Sequence, residues 1–161
     1  MKDIYYVFIP ASLALIMEFF VPYMRTLKVD EVFLSPHYIF HAIMFLATYI
    51  LLGIVLSQSR ELENNDIFIF AWISVFLNLI WSYYINRNNK YAIIFLFLAL
   101  MFGYFIYNEI FLSPLTDNGQ TLYLNLMTAY IVWIGFMIAL VFQYEQIHGK
   151  RRVKKKSKKP V

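Results

Sequence analysis

The sequence predicts an all-α integral membrane bundle of five transmembrane helices, with the N-terminus outside and the C-terminus inside. Three observations lead to this fold class. Hydrophobic residues make up 61% of the 161 residues and charged residues only 15%, whereas a soluble domain usually has about 25% charged residues. The hydrophobic residues are concentrated in five stretches of helical length. The basic residues are distributed very unequally between the segments that connect these stretches.

Each of the five stretches is long enough to cross a membrane. A hydrocarbon core about 30 Å thick needs about 20 apolar helical residues, because only helices and closed barrels satisfy their backbone groups in lipid. None of the stretches shows the strict alternation of a barrel strand. We therefore expect helices at Ile4–Met24, Tyr38–Leu56, Ile67–Ile85, Tyr91–Ile110 and Leu122–Phe142.

The connecting segments are short, and each contains residues typical of loops, such as Pro, Asn, Asp or Gly. They are Arg25–His37, Ser57–Asp66, Asn86–Lys90 and Phe111–Thr121. An outside N-terminus places twelve Lys and Arg residues inside and only Lys2 and Arg60 outside, as the positive-inside rule requires.

Eight of the fourteen basic residues lie between Lys150 and Lys159. We therefore divide the chain into a five-helix transmembrane domain, residues 1–149, and a basic cytoplasmic tail, residues 150–161. Cations next to an anionic leaflet each gain about 1 kcal/mol, so the Lys150–Lys159 segment predicts anionic lipids as a partner. We expect no nucleic-acid partner, because the topology already explains the basic run and no folded nucleic-acid-binding module accompanies it.

The sequence has no pattern typical of an enzyme. It contains no cysteine, which excludes disulfides, thiolate metal sites and cysteine nucleophiles. It also has no HExxH motif, phosphate-binding glycine loop or nucleophile elbow. The three histidines, His37, His41 and His148, are too scattered for a metal site. We expect a protein that is not an enzyme and needs neither a metal nor a cofactor.

Polar residues within the third and fifth stretches form two stripes at helical spacing. The third-stretch stripe must face protein or water, and it fits either hydrogen bonds between helices or contact with a ligand. The fifth-stretch stripe is more typical of packing. The residues of the third stretch are Ser74, Asn78, Trp81 and Ser82, and those of the fifth are Asn125, Ala129, Trp133, Phe136 and Leu140.

Glu18 is the least expected residue of the first stretch. A carboxylate near the centre of a bilayer costs several kcal/mol unless it is paired, hydrated or protonated. His41, near the start of the second stretch, is its candidate partner. The two residues fit a proton-linked role, and they fit equally well a structural role in which Glu18 is neutral and His41 reaches the interface.

Three motifs resemble those of the translocator protein family, also called the tryptophan-rich sensory or TspO/MBR family. LNLIWSYY, at Leu77–Tyr84, is similar to the family's LNxxWSxxFF. AYIVWIGF, at Ala129–Phe136, is similar to PYxxWxxFA. PHYIF, at Pro36–Phe40, followed by Tyr49 and Gly53, is similar to PPxWVF and a later YxxxG. The family's WYxxLxKP loop motif is missing from the corresponding first loop.

The resemblance implies a five-helix bundle, often dimeric, that binds porphyrins and other flat hydrophobic molecules, including sterols in animal members. We therefore expect a sensor or transporter for such a ligand, with haem or another porphyrin as candidates, in a multi-pass protein of a bacterial cell membrane. The implied ligand-binding residues are Tyr38, Tyr49, Asn78, Trp81, Tyr91, Tyr130 and Trp133. Two alternatives remain: a proton-linked small transporter that uses Glu18 and His41, and a non-catalytic membrane accessory protein.

Overall fold

The computed structural model describes residues 4–20, 38–61, 64–85, 88–113 and 117–156. These residues form five helices and, within these ranges, no strand. The prediction of an all-α bundle is confirmed. The helices are α1 (Ile4–Phe20), α2 (Tyr38–Glu61), α3 (Asn65–Tyr84), α4 (Asn89–Leu112) and α5 (Asp117–Lys156).

Four of these helices are long and apolar enough to cross a membrane. The spans are Phe40–Arg60, Asn65–Tyr84, Asn89–Leu112 and Gly119–Gln146, with mean hydropathy from 1.7 to 2.1. The described part of α1 is also apolar but shorter, Ile4–Phe19, and the rest of the predicted first span, through Met24, lies outside the described residues. The protein is thus an integral, multi-pass membrane protein, while its orientation stays a prediction.

Several helices extend beyond the hydrophobic stretches that predicted them. α2 continues past Leu56 to Glu61 and α3 begins at Asn65, so that seven of the ten residues of the expected Ser57–Asp66 connection are helical. α5 begins at Asp117 and continues through the start of the predicted tail to Lys156. Hydrophobicity marks where lipid contact ends, whereas polar residues can continue a helix into water, and these predicted helix ends were therefore wrong. The division between the transmembrane domain and the basic tail at residue 150 stays a prediction.

Each helix packs against the next one along the chain, and among the helices that are not consecutive the most extensive contacts are those of α2 with α5 and of α1 with α3. Side-chain hydrogen bonds connect the helices at both ends. Tyr123 Oη donates to Gln58 Oε1 at 2.5 Å, and Asn89 Nδ2 donates to Glu145 Oε2 at 2.9 Å. The end of α2 thus lies beside the start of α5, and His41 at the start of α2 contacts Trp133 further along α5, so the two helices run antiparallel.

Two glycines allow neighbouring helices to approach closely. A Cβ atom on Gly53 of α2 would lie 2.7 Å from Val7 Cα and 2.8 Å from the carbonyl oxygen of Tyr6, and it would also collide with the carbonyl oxygen of Val7. A Cβ atom on Gly103 of α4 would lie 2.6 Å from the Tyr130 ring of α5. The first contact involves the backbone of α1, so a larger residue at position 53 could be accommodated only if the whole helix moved.

Asn64 forms the N-cap of α3. Its Oδ1 atom accepts the backbone N–H groups of Asp66 and Ile67, both at 3.1 Å. We expect Asn64→Ala to lower the free energy of unfolding by about 1 kcal/mol, because these two donors lose their protein acceptor. Denaturant titration of the protein in detergent, followed by circular dichroism, measures this change.

Asn88 provides the matched control for this prediction. It is the N-cap residue of α4, but its side chain makes no capping hydrogen bond. Asn88→Ala should therefore leave the free energy of unfolding nearly unchanged. Equal losses in the two variants would contradict a capping role for Asn64.

Candidate functional site

The predicted polar stripe of α3 faces the interior of the bundle. Ser74, Asn78, Trp81 and Ser82 are all buried. Their spacing of four, three and one residues places them on one side of a helix with about 3.6 residues per turn. Since hydrocarbon offers no hydrogen-bond partner, the only stable direction for this side is inward. That part of the prediction is confirmed.

Asn78 is the centre of a hydrogen-bond network between three helices. Its Nδ2 atom donates to Tyr130 Oη on α5 at 2.8 Å and to the Ser74 carbonyl at 2.7 Å. Its Oδ1 atom accepts Trp81 Nε1 at 3.0 Å. Tyr130 Oη in turn lies 3.5 Å from the Ala99 carbonyl of α4. We call Asn78, Trp81 and Tyr130 the Asn78 network, and its geometry is that of a connection between helices.

A second group of predicted residues lies between α2 and α5. Trp133 stacks on Phe136 with ring centroids 5.6 Å apart. The His41 ring lies 5.7 Å from Trp133, and the Phe40 ring lies 6.1 Å from it, edge to face. We call these four residues, Phe40, His41, Trp133 and Phe136, the His41 cluster.

His41 has an unusual environment within this cluster. Its side chain is only 2% exposed, yet neither Nδ1 nor Nε2 has a hydrogen-bond partner. A buried polar group without a partner costs about 1–3 kcal/mol, and such groups in native proteins are explained by local strain, a chemical role, or a bound water or ion. A ligand that hydrogen-bonds to the imidazole would remove this cost.

Two of the aromatic side chains of the His41 cluster are accessible at the surface of the bundle. Phe40 is 47% exposed, and Phe136 is half-buried. Aromatic faces bind flat apolar molecules by dispersion and offset stacking, while one or two polar groups fix the orientation. The cluster combines these two elements: three aromatic rings and one imidazole with unused hydrogen-bonding capacity.

The seven residues implied by the family resemblance do not form one group. Asn78, Trp81 and Tyr130 form the Asn78 network, whereas Trp133 belongs to the His41 cluster. Tyr49 is buried, with its ring 5.1 Å from that of Phe45. Tyr91 is 51% exposed and contacts Tyr84. Tyr38 begins α2, but its side chain lies outside the described part.

One expectation about partners needs correction. His41 forms no hydrogen bond with Glu18, because both of its ring nitrogens are without a partner. The predicted stripe of α5 lies on one side of the helix, as its spacing requires, but its exposure changes along the helix: Asn125 and Ala129 are exposed, while Trp133 and Leu140 are buried. The buried residues of α5 also include Met127, Tyr130, Ile134 and Met137.

Phe40 and Phe136 were not among the predicted ligand-binding residues. Phe40 directly precedes His41 in the chain, and Phe136, which belongs to the predicted stripe of α5, follows Trp133 by three residues. Aromatic residues are so frequent in this chain that their position alone gives no signal. No group of three His, Asp or Glu side chains that could hold a metal occurs in the described ranges.

No protein-family model matches this chain, and no curated protein or solved structure shows significant similarity to it. The class of protein rests on the structure itself: it is a helical, multi-pass membrane protein with a buried polar network and an aromatic cluster around one histidine. Membership of the translocator protein family stays a prediction from the three motifs.

Proposed function

We propose that this protein binds a planar, hydrophobic small molecule at the His41 cluster and acts as a sensor or transporter for it. The observation that carries the proposal is His41 itself, a buried imidazole without a hydrogen-bond partner beside the stacked rings of Trp133 and Phe136. The motif resemblance adds the ligand class, a tetrapyrrole or a sterol-like molecule.

In this proposal the ligand enters between α2 and α5. These helices contact each other less extensively than the helices that follow one another along the chain. The flat face of the ligand stacks on Trp133 or Phe136, and Phe40 covers its edge. A neutral imidazole offers one donor and one acceptor, so His41 can bind a carboxyl, hydroxyl or pyrrole group.

The Asn78 network then has a supporting role. Its polar atoms bond to one another, and it fixes α5 against α3. Trp133 lies one turn after Tyr130 on α5, so the network also sets the position of the Trp133 ring. We therefore assign direct ligand contact to Trp133 and His41, and positioning to Asn78, Trp81 and Tyr130.

Protoporphyrin binding tests this proposal. We expect the purified protein to shift the absorption band of protoporphyrin IX saturably, and His41→Leu to weaken binding about tenfold, since a buried hydrogen bond is lost. Trp133→Leu should weaken it by a similar factor through loss of stacking. Titration followed by absorption and porphyrin fluorescence gives the dissociation constants.

Tyr104→Leu is the control for loss of an aromatic ring. Tyr104 is exposed on α4 and belongs to no predicted site, so its replacement should leave the dissociation constant unchanged. Identical affinities in the wild type, His41→Leu and Trp133→Leu would reject the proposed site. Binding that does not saturate in the wild type would reject a tetrapyrrole as the ligand.

A further inference from the structure

A second potential binding site lies at the other end of α2. Here a cleft of about 380 Å³ is lined by Ser59, Arg60, Asn65 and Phe68. One membrane span ends at Arg60 and the next begins at Asn65, so the cleft lies at the level of the membrane surface. It is about 28 Å along α2 from His41, at a rise of about 1.5 Å per residue, and it is independent of the His41 cluster.

Two aromatic rings hold the guanidinium of Arg60. Its central carbon lies 6.0 Å from the centroid of the Tyr6 ring and 5.7 Å from that of Phe68. The two rings themselves meet edge to face, with centroids 5.8 Å apart. Cation–π contacts engage the faces of the guanidinium and leave its N–H donors along the edge available.

The polar groups of the cleft are suited to an oxyanion. Arg60 forms no ion pair with any other described residue, and the exposed Asn65 side chain adds an amide donor. Ser59 is already used, since its Oγ donates to the Leu56 carbonyl at 2.8 Å. A planar guanidinium matches the spacing of phosphate oxygens better than any other side chain.

The charges of the surrounding sequence indicate which class of phosphate compound the cleft would bind. Glu61, Glu63 and Asp66 adjoin the cleft residues along the chain, so the local net charge is negative and a free anion is repelled. A phosphate that is covalently joined to a cationic group is different, because its negative charge is attracted by Arg60 and its positive charge by the acidic residues of the surrounding sequence. Phospholipids of this kind are present at the membrane surface, at the depth where the spans end.

From these observations we infer that the Arg60 cleft binds the zwitterionic headgroup of a phospholipid. The phosphate accepts hydrogen bonds from Arg60 and Asn65, and the acidic residues that adjoin them in the sequence favour a headgroup that carries its own positive charge. A lipid bound here would connect α1, α2 and α3 at the membrane surface, because Tyr6, Arg60 and Phe68 belong to these three helices.

Native mass spectrometry of the full chain in detergent, titrated with phosphatidylethanolamine, tests this inference. We expect one lipid to bind about two- to fivefold more weakly to Arg60→Gln than to the wild type, as for loss of one exposed charge-assisted contact. Phe68→Leu keeps the charge but removes one aromatic ring, and it should show a smaller loss. Circular dichroism and elution volume check that each variant is folded.

Lys90→Gln is the matched control, since Lys90 is an exposed cation at the start of α4, at the opposite end of the bundle. It should retain wild-type affinity. Equal affinity in the wild type and Arg60→Gln would overturn the inference, as would equally tight binding of diacylglycerol, which lacks the phosphate. Displacement of the lipid by inorganic phosphate, or tighter binding of phosphatidylglycerol, would overturn the zwitterionic assignment.

Discussion

Gly53→Ala is expected to lower the free energy of unfolding by about 2–3 kcal/mol, the upper part of the range for overpacked sites. The added Cβ would overlap the backbone of α1 at Tyr6 and Val7. A clash with a flexible side chain can relax by a rotamer change, but a clash with backbone forces two helices apart. α1 makes most of its contacts with α2, so a separation here weakens the attachment of the first helix to the bundle.

Gly135→Ala makes the same chemical change where there is room for it. A Cβ atom at Gly135 of α5 meets no other atom within 4 Å. This variant should be neutral or more stable by up to about 1 kcal/mol, because alanine favours the helix over glycine. Thermal and denaturant unfolding in detergent compare the two. Similar stability of Gly53→Ala and Gly135→Ala would contradict the close α1–α2 contact.

Asn78→Leu should destabilise the protein by about 2–4 kcal/mol. The substitution keeps a side chain of similar size but removes the acceptor of Trp81 Nε1 and the donor to Tyr130 Oη. Each buried group left without a partner costs about 1–3 kcal/mol, although hydrogen bonds between membrane helices average less, about 0.6 kcal/mol. Denaturant unfolding in detergent measures the loss.

Asn125→Leu serves as the comparison for this substitution. Asn125 lies on the exposed side of α5, where leucine suits the lipid, and its replacement should not destabilise the fold. Tyr130→Phe, which removes one hydroxyl, should lower the free energy of unfolding by about 1 kcal/mol. A double-mutant cycle between Asn78→Leu and Tyr130→Phe should give a coupling energy of about 0.5–1.5 kcal/mol, and additive effects would argue against the network.

The inward side of α3 was predictable because its sequence mixes polar and apolar residues. Four polar side chains at helical spacing within a hydrophobic stretch have one stable direction, so Asn78 and Trp81 could be placed inside from the pattern alone. α5 offered no such contrast. Between Leu126 and Phe142 almost every residue is apolar or aromatic, and either side could face the lipid.

Packing decided the orientation of α5. Tyr130 fits against Gly103 of α4 and bonds to Asn78 of α3, which turns Met127 and Met137 inward and leaves Asn125 and Ala129 outside. The ends of the helices were also not determined by the hydrophobic stretches. The hydrophobic stretch sets the minimum length of a span, but Glu61 and Lys156 show that a helix can extend well past it.

The amino-acid pattern is sufficient to predict a helical membrane protein, the positions of its apolar helices along the chain, and the inward side of the α3 stripe. These properties follow from local composition and from the requirement that lipid imposes on each helix separately. Only the packing of the helices shows that His41 lies against Trp133 and forms no hydrogen bond with Glu18, and that Arg60 lies over rings from two other helices. Such partners depend on distances between helices far apart in the chain, which no local pattern specifies.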